Sequence, residues 1–223
     1  MLYNNGCSSA VILIVEERKH MEILSFQSPE AKEILEEGYV LALPTETVYG
    51  LGVIWDSKEA YERLCQAKNR RPDKPIAVMT GKNFDLSIYF EISPQAKKVM
   101  DHFLPGPLTC LVKAKPTAPE QTHLGTYVAG IRIPEKEELL DFLDFLGHPL
   151  QVTSANISGD PAICDFNDVY ATFENCPLVK GIIKGNCQSG TPTTVVDLTG
   201  DKPVVIRQGE ITKEEIEKVF FEK

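Results

Sequence analysis

Three hydroxyls and a carboxylate fall within five positions of one stretch, Pro44-Thr45-Glu46-Thr47-Val48-Tyr49-Gly50-Leu51-Gly52, directly after the apolar run 40–43. A strand that ends in such a cluster carries polar groups to the edge of a sheet, where open α/β sheets bind ligands. A core strand gains nothing from it, since each buried hydroxyl needs its own hydrogen-bond partner. Taken alone, the stretch is equally well read as a Pro/Gly loop whose threonines cap local turns. A second apolar strand ends in the same chemical way, at Val152-Thr153-Ser154-Ala155-Asn156-Ile157-Ser158-Gly159. Between them lies Lys68-Asn69-Arg70-Arg71-Pro72-Asp73-Lys74-Pro75, a set of cations pinned by two prolines. Arginine offers a planar fork to phosphate or carboxylate, and lysine a point charge. Ile206-Arg207-Gln208-Gly209 finishes another strand on an arginine, and Leu104-Pro105-Gly106-Pro107-Leu108-Thr109 reads as a rigid turn into a strand. Hydroxyls, amides and fixed cations with no evident general base suit the binding and orientation of a small anion.

Other chemistries lack their residues. The six cysteines form no C-x-x-C pair and the four histidines no H-x-x-x-H spacing, so no zinc site is expected. No G-x-x-x-x-G-K-[ST] loop, G-x-G-x-x-G turn or G-x-S-x-G elbow is present. A net charge of −9 argues against a broad grip on nucleic acid. Locally, five basic residues stand against one acid between Arg63 and Lys74. That patch suits a nucleotide, or else a solvated helix end favoured by the helix dipole.

Positioning these groups falls to an alternation of helices and strands. Ser28-Pro29 opens one helix and Gly38 closes it; Ser57 caps a second, whose apolar stripe reaches Lys68. Ser93-Pro94 starts a third, 135–146 forms a fourth ended by Gly147, Asp165 caps a fifth through Phe173, and Thr212-x-x-Glu215 is a capping box for the last. Strands are expected at 12–15, 40–43, 76–79, 108–113, 128–133, 150–153, 179–183, 194–197 and 204–207. Such an order predicts an α/β (α+β) fold on a mixed sheet. With 223 residues and no low-complexity linker, residues 21–223 are expected to form one domain behind an N-terminal extension, 1–20. No apolar run reaches 18 residues and the N-terminal run is a poor signal peptide, so a cytoplasmic protein without membrane contact is expected.

Seven motifs then occur in order: P-T-E-T-V-Y-G-L-G, K-x-R, L-P-G-P-L-T, I-R-I-P, S-A-N-I-S-G, T-V-V-D-L-T-G and I-R-x-G. Together, over roughly residues 28–212, they resemble the YrdC/TsaC family of threonylcarbamoyl-adenylate synthases. The resemblance implies a YrdC-like twisted mixed β-sheet with flanking helices around a positively charged cleft. It also implies a nucleotidyltransferase that joins L-threonine, bicarbonate and ATP into threonylcarbamoyl-AMP and pyrophosphate, with Mg²⁺ bridging phosphate oxygens. Transfer proteins then pass the group to ANN-decoding tRNAs; members of the family were also described as binders of double-stranded RNA. A non-catalytic RNA-binding module is therefore the alternative, set against the acidic net charge.

Position by position, the resemblance places Thr47, Tyr49 and Arg132 at the threonine. Lys68 and Arg70 would be the catalytic cations on the triphosphate, with Lys74, Ser154, Asn156, Thr193, Thr194 and Arg207 also on ATP. Thr45 and Glu46 would only shape the turn. The chain departs from the pattern at Arg71, often proline; at Met79, where longer members carry a threonine-binding histidine; at Ala162, often an ATP-contacting serine; and at Gln208, usually proline.

Overall fold

The computed structural model describes residues 20–222; the strand expected at 12–15 lies outside them. The elements run β1 (Glu22–Leu24), α1 (Pro29–Glu36), β2 (Val40–Pro44), β3 (Tyr49–Ile54), α2 (Lys58–Ala67), β4 (Val78–Met79), β5 (Phe90–Glu91), α3 (Pro94–Phe103), β6 (Leu108–Ala114), β7 (Val128–Arg132), α4 (Glu137–Leu146), β8 (Leu150–Ser154), α5 (Phe166–Phe173), β9 (Val179–Ile183), β10 (Thr194–Asp197), β11 (Val204–Arg207) and α6 (Lys213–Phe221). All eleven strands belong to one mixed sheet in the order β1-β9-β2-β3-β8-β4-β7-β6-β10-β11, with β5 paired to β6. No helix among the described residues is long and apolar enough to cross a membrane.

Helix starts follow the capping chemistry. Ser57 accepts from the Ala60 amide and Ser93 from Ala96, Asp165 takes two amides, and Thr212 with Glu215 closes a full capping box. Gly147 ends α4 with a left-handed φ of 74°. That helix begins at Glu137, two residues later than expected, and α2 stops at Ala67 with Lys68 as its C-cap.

Strand prediction fails at three places. β1 and β5 are too short to show a period, and β3 was not anticipated. The stretch containing Gly50 and Gly52 is expected as a strand end or a Pro/Gly loop, yet β3 pairs antiparallel with β2 on one side and β8 on the other. The glycines are there because the sheet has no space for a side chain: a Cβ on Gly50 would lie 2.5 Å from Val152 Cγ1. The 44–49 segment is thus a hairpin connection, not a strand end that runs into open loop.

Register decides which face each residue occupies. On one face, Tyr49, Leu51 and Val53 pack with α2 and α5, while Ile131, Cys110 and Val196 pack with α3 and α6. On the other, α1 and α4 bury Leu41, Leu43, Met79 and Leu150. Beyond that cover no helix among the described residues packs on this second face at β7, β6 and β10, and its residues there form the floor of a cleft. Packing at the far end is equally close. A Cβ on Gly209 would sit 2.4 Å from the Thr194 nitrogen and 2.5 Å from the Pro192 carbonyl oxygen. Because backbone cannot yield as a side-chain tip can, Gly209→Ala should cost about 3 kcal/mol, measured as a shift in the urea midpoint.

Candidate active site

The bare sheet face opens into a cavity of about 610 Å³, with Thr109 and Leu111 from β6, Gly130 and Arg132 from β7, and Val195 from β10 on its floor. A second cavity of about 410 Å³ lies alongside, lined by Lys68, Arg70, Lys74 and Asn156 among others. The two share Arg70, Thr153 and Ser154 and so form one continuous cleft. A larger cavity, about 890 Å³, lies beside α3 against Phe84, Phe90 and Met100, but none of the expected site residues lines it. The convergence of Arg70, Arg132 and Arg207 places the chemistry in the cleft instead.

Arg132 ends β7 and is only 9% exposed. Its Nη2 donates to Glu46 Oε1 at 2.7 Å, to Thr47 Oγ1 at 2.7 Å and to Thr45 Oγ1 at 3.3 Å. The same Thr45 hydroxyl accepts from the amides of Thr47 and Val48, so one side chain both closes the hairpin turn and helps hold the guanidinium. Glu46, 5% exposed, therefore does more than shape the turn. With three acceptors crowded on one nitrogen, Arg132 Nε and Glu46 Oε2 are buried without a protein partner. Each such orphan costs about 1–3 kcal/mol, more for a charged group, unless a ligand or water meets it.

Arg207 donates from Nε and Nη2 to the Thr193 carbonyl oxygen, and from Nη2 to Thr193 Oγ1, which also bonds Thr109 Oγ1 at 2.9 Å. Burial, and then the positive charge of Arg132, hold Arg207 below the usual arginine pKa. Two cations that disfavour each other across a cavity form a place where an anion is stabilised. Arg70 braces its fork on the Lys74 and Pro75 carbonyls while lining both cavities. Arg63, by contrast, is spent on Glu59 and the Glu37 carbonyl, outside the cleft.

Three expected residues, of which Tyr49 lines the 610 Å³ cavity and Lys68 the 410 Å³ one, are also bonded within the fold. Lys68 is 2% exposed, and its ammonium donates to the Ser154 and Asn156 carbonyls and to Asn156 Oδ1. All three of its donors meet oxygens of the 154–156 turn, so it ties that turn in place while lining the smaller cavity. Tyr49 belongs to the helix-covered face, and its hydroxyl donates to the Ile183 and Gly185 carbonyls; burial raises its pKa far above the tyrosine norm. Thr194 is in register with Leu108 on that same face and bonds the Ile211 carbonyl and the Gly209 amide. Asn156 reaches the cleft wall with its amide committed to Ile157 and Asp160, whereas Thr47, Ser154 and Thr193 line it as expected. Outside the expected set, Thr109 also lines the 610 Å³ cavity, and Glu46 pairs with Arg132. Met79 is buried under α4 away from the cavity.

Burial, with Arg70 second, lowers Lys68 from 10.5 to about 8. Between those values Lys68 holds its proton in the unfolded chain but not in the folded one, so its own contribution to stability grows with rising pH, while the buried thiols of Cys110 and Cys187, whose pKa values burial raises, act in the opposite sense. The stability of wild type relative to Lys68→Met should therefore rise by about 3 kcal/mol between pH 7.5 and 10.5, read by urea titrations of both proteins.

Comparison with known proteins follows the same lines. A profile for the Sua5/YciO/YrdC domain, described as telomere recombination, matches residues 33–209. The threonylcarbamoyl-AMP synthase of Pyrococcus abyssi is 34% identical over 86% of this chain, and that of Bacillus subtilis 35% over 87%. The chain spans about half the length of these two relatives, 56% of each. A Methanocaldococcus jannaschii protein, to which the same synthase name is provisionally attached, is 31% identical and covered over 96% of its length. Among solved structures, P. abyssi Sua5 complexed with L-threonine superposes with a TM-score of 0.79 at 33% identity, over 85% of this chain and 56% of that one. Escherichia coli YciO superposes with a TM-score of 0.76 at 29% identity, over 84% and 91%. Shared sequence along most of its length and a shared sheet place this chain in the Sua5/YciO/YrdC family.

Proposed function

We propose that the chain is a threonylcarbamoyl-AMP synthase, joining L-threonine, bicarbonate and ATP into threonylcarbamoyl-AMP and pyrophosphate. The observation that carries this reading is one cleft with two kinds of cation. Arg132, with a buried, unpartnered Nε, lines the 610 Å³ cavity and suits a carboxylate. Arg70 stands at the junction with Lys74 in the 410 Å³ cavity, suited to a polyphosphate, and Arg207 lines the 610 Å³ one. Threonine binding by the P. abyssi relative supports the assignment of the amino-acid end.

Threonine's amine sheds a proton and attacks the carbon of bicarbonate; a C–N bond forms and water leaves, giving a carbamate. A carbamate oxygen then attacks the α-phosphorus of ATP, the bond to the β-phosphate oxygen breaks, and pyrophosphate departs. No protein nucleophile is required. The protein aligns three reactants and stabilises the charge that builds on the phosphates. Thr47, Thr109, Ser154 and Thr193 supply the hydroxyls that orient the bound groups. No group of three or more His, Cys, Asp or Glu side chains among the described residues is placed to hold a metal. A Mg²⁺ that arrives with ATP would therefore be held by phosphate oxygens and water, and no step here runs through it.

In the same reading, residues 21–223 act as one YrdC-like domain in the cytoplasm, behind the 1–20 extension. The labile product passes to separate transfer proteins that modify ANN-decoding tRNAs.

Pyrophosphate release that depends on all three substrates is the direct test; release without threonine dependence, or none under conditions where the B. subtilis relative works, would sink the reading. Arg70→Ala should weaken ATP binding roughly 10- to 100-fold with the fold intact, as titration calorimetry would show. For Arg132→Ala the KM for threonine should rise more than that for ATP. The opposite pattern would mean that the two ends of the cleft are interchanged.

A further inference from the structure

We propose that Arg71 is a further polyphosphate-binding residue, held by Asp73 while the cleft is free and handed to the outer phosphates of ATP when the nucleotide enters. This rests on the function proposed above and adds a residue to it. The lining of the 410 Å³ cavity holds four cations, Lys68, Arg70, Arg71 and Lys74, and no carboxylate. Lys68 and Arg70 rest on main-chain carbonyls. Arg71 instead grips a carboxylate just outside the lining: its Nε donates to Asp73 Oδ1 at 3.1 Å and its Nη2 to Asp73 Oδ2 at 2.6 Å. Those bonds hold the Asp73 carboxyl below the usual carboxylate range. A side-on fork on two oxygens of one group is also how arginine binds a phosphate, so Asp73 occupies the place that a phosphate would take.

The turn beneath the pair is fixed, and the pair itself is not. The Lys74 amide donates to the Arg71 carbonyl across Pro72, and the buried Tyr61 hydroxyl reaches the Pro72 and Lys74 carbonyls at 3.0 and 3.1 Å. Both side chains of the pair are mostly exposed, 75% for Arg71 and 56% for Asp73. An exposed ion pair adds little stability, because water and salt screen it. A polyphosphate carries more charge than a carboxylate and can displace it from the same fork. The outer phosphates are the ones that come to Arg71. The α-phosphorus must meet the carbamate formed on threonine at Arg132, which lines the 610 Å³ cavity and not the 410 Å³ one. The rest of the phosphate chain then extends past Arg70, at the junction, into the cavity that Arg71 lines.

Calorimetry on the full chain tests this with ATP, and with L-threonine as the control for the fold and for the Arg132 end. Arg71→Ala should weaken ATP about 3- to 10-fold, the scale of one charge-assisted bond less the Asp73 pair given up, and leave threonine unchanged. Arg71→Lys, a point charge without the fork, should fall between Arg71→Ala and wild type. Asp73→Asn should strengthen ATP about 2- to 5-fold, because Arg71 no longer has a partner to leave. That gain should vanish when Asp73→Asn is combined with Arg71→Ala. A gain of the same size in the double variant would overturn the handover and leave Asp73 as a plain repulsive charge. Unchanged ATP affinity in Arg71→Ala would overturn the proposal, as would equal weakening of ATP and threonine, which marks a structural role for the turn. Either result, with threonine-dependent pyrophosphate release intact in wild type, leaves the proposed function standing. A wild type that binds neither ATP nor threonine would overturn the function itself.

Discussion

A guanidinium buried at the end of a central strand has to find acceptors, and the way Arg132 does so organises the site. β7 and the β2–β3 hairpin are separated in the sheet by β8 and β4. Arg132 spans that interval and gathers Thr45, Glu46 and Thr47 around one nitrogen. Desolvating a cation is costly, and only a nearly complete set of hydrogen bonds offsets the loss. Here the set is incomplete by one donor and one acceptor. The hairpin turn is therefore fixed to the sheet by an interaction that leaves two buried polar atoms without a protein partner.

Lys68 solves the same problem from the other side of the cleft. Its acceptors are mainly backbone carbonyls of the 154–156 turn, so the cation is neutralised by dipoles instead of by a carboxylate. One wall is thus stabilised by a buried lysine, the other by a buried arginine, and the less buried Arg70, Arg71 and Lys74 line the smaller cavity beside Lys68.

Much of this was legible in the residues. Helix caps announced themselves, because Ser, Asp and Thr act on amides two or three positions away. The hydroxyl-rich ends at 44–50 and 152–159 both came to the cleft, as their shared composition indicated. What stayed hidden depends on partners distant in sequence. The hold of Lys68 on the 154–156 turn is not legible, because its acceptors are main-chain oxygens 86 and 88 residues away. Nor are the faces on which the Tyr49 and Thr194 side chains lie, because the face of a strand residue follows from register and β3 is hidden in the sequence. Gly50 and Gly52 concealed it: a residue chosen for lack of space leaves no apolar alternation to read.

Arg207 lies on β11, the outermost strand, which pairs with β10 alone across an irregular register at Val195 and Val196. Edge strands with a single neighbour open locally at lower free energy than central ones. The cleft thus combines a cation rooted in the middle of the sheet with one carried on an edge strand. An edge strand can fray without unsettling the centre, so for the proposed reaction one end of the cleft can loosen while the other stays closed.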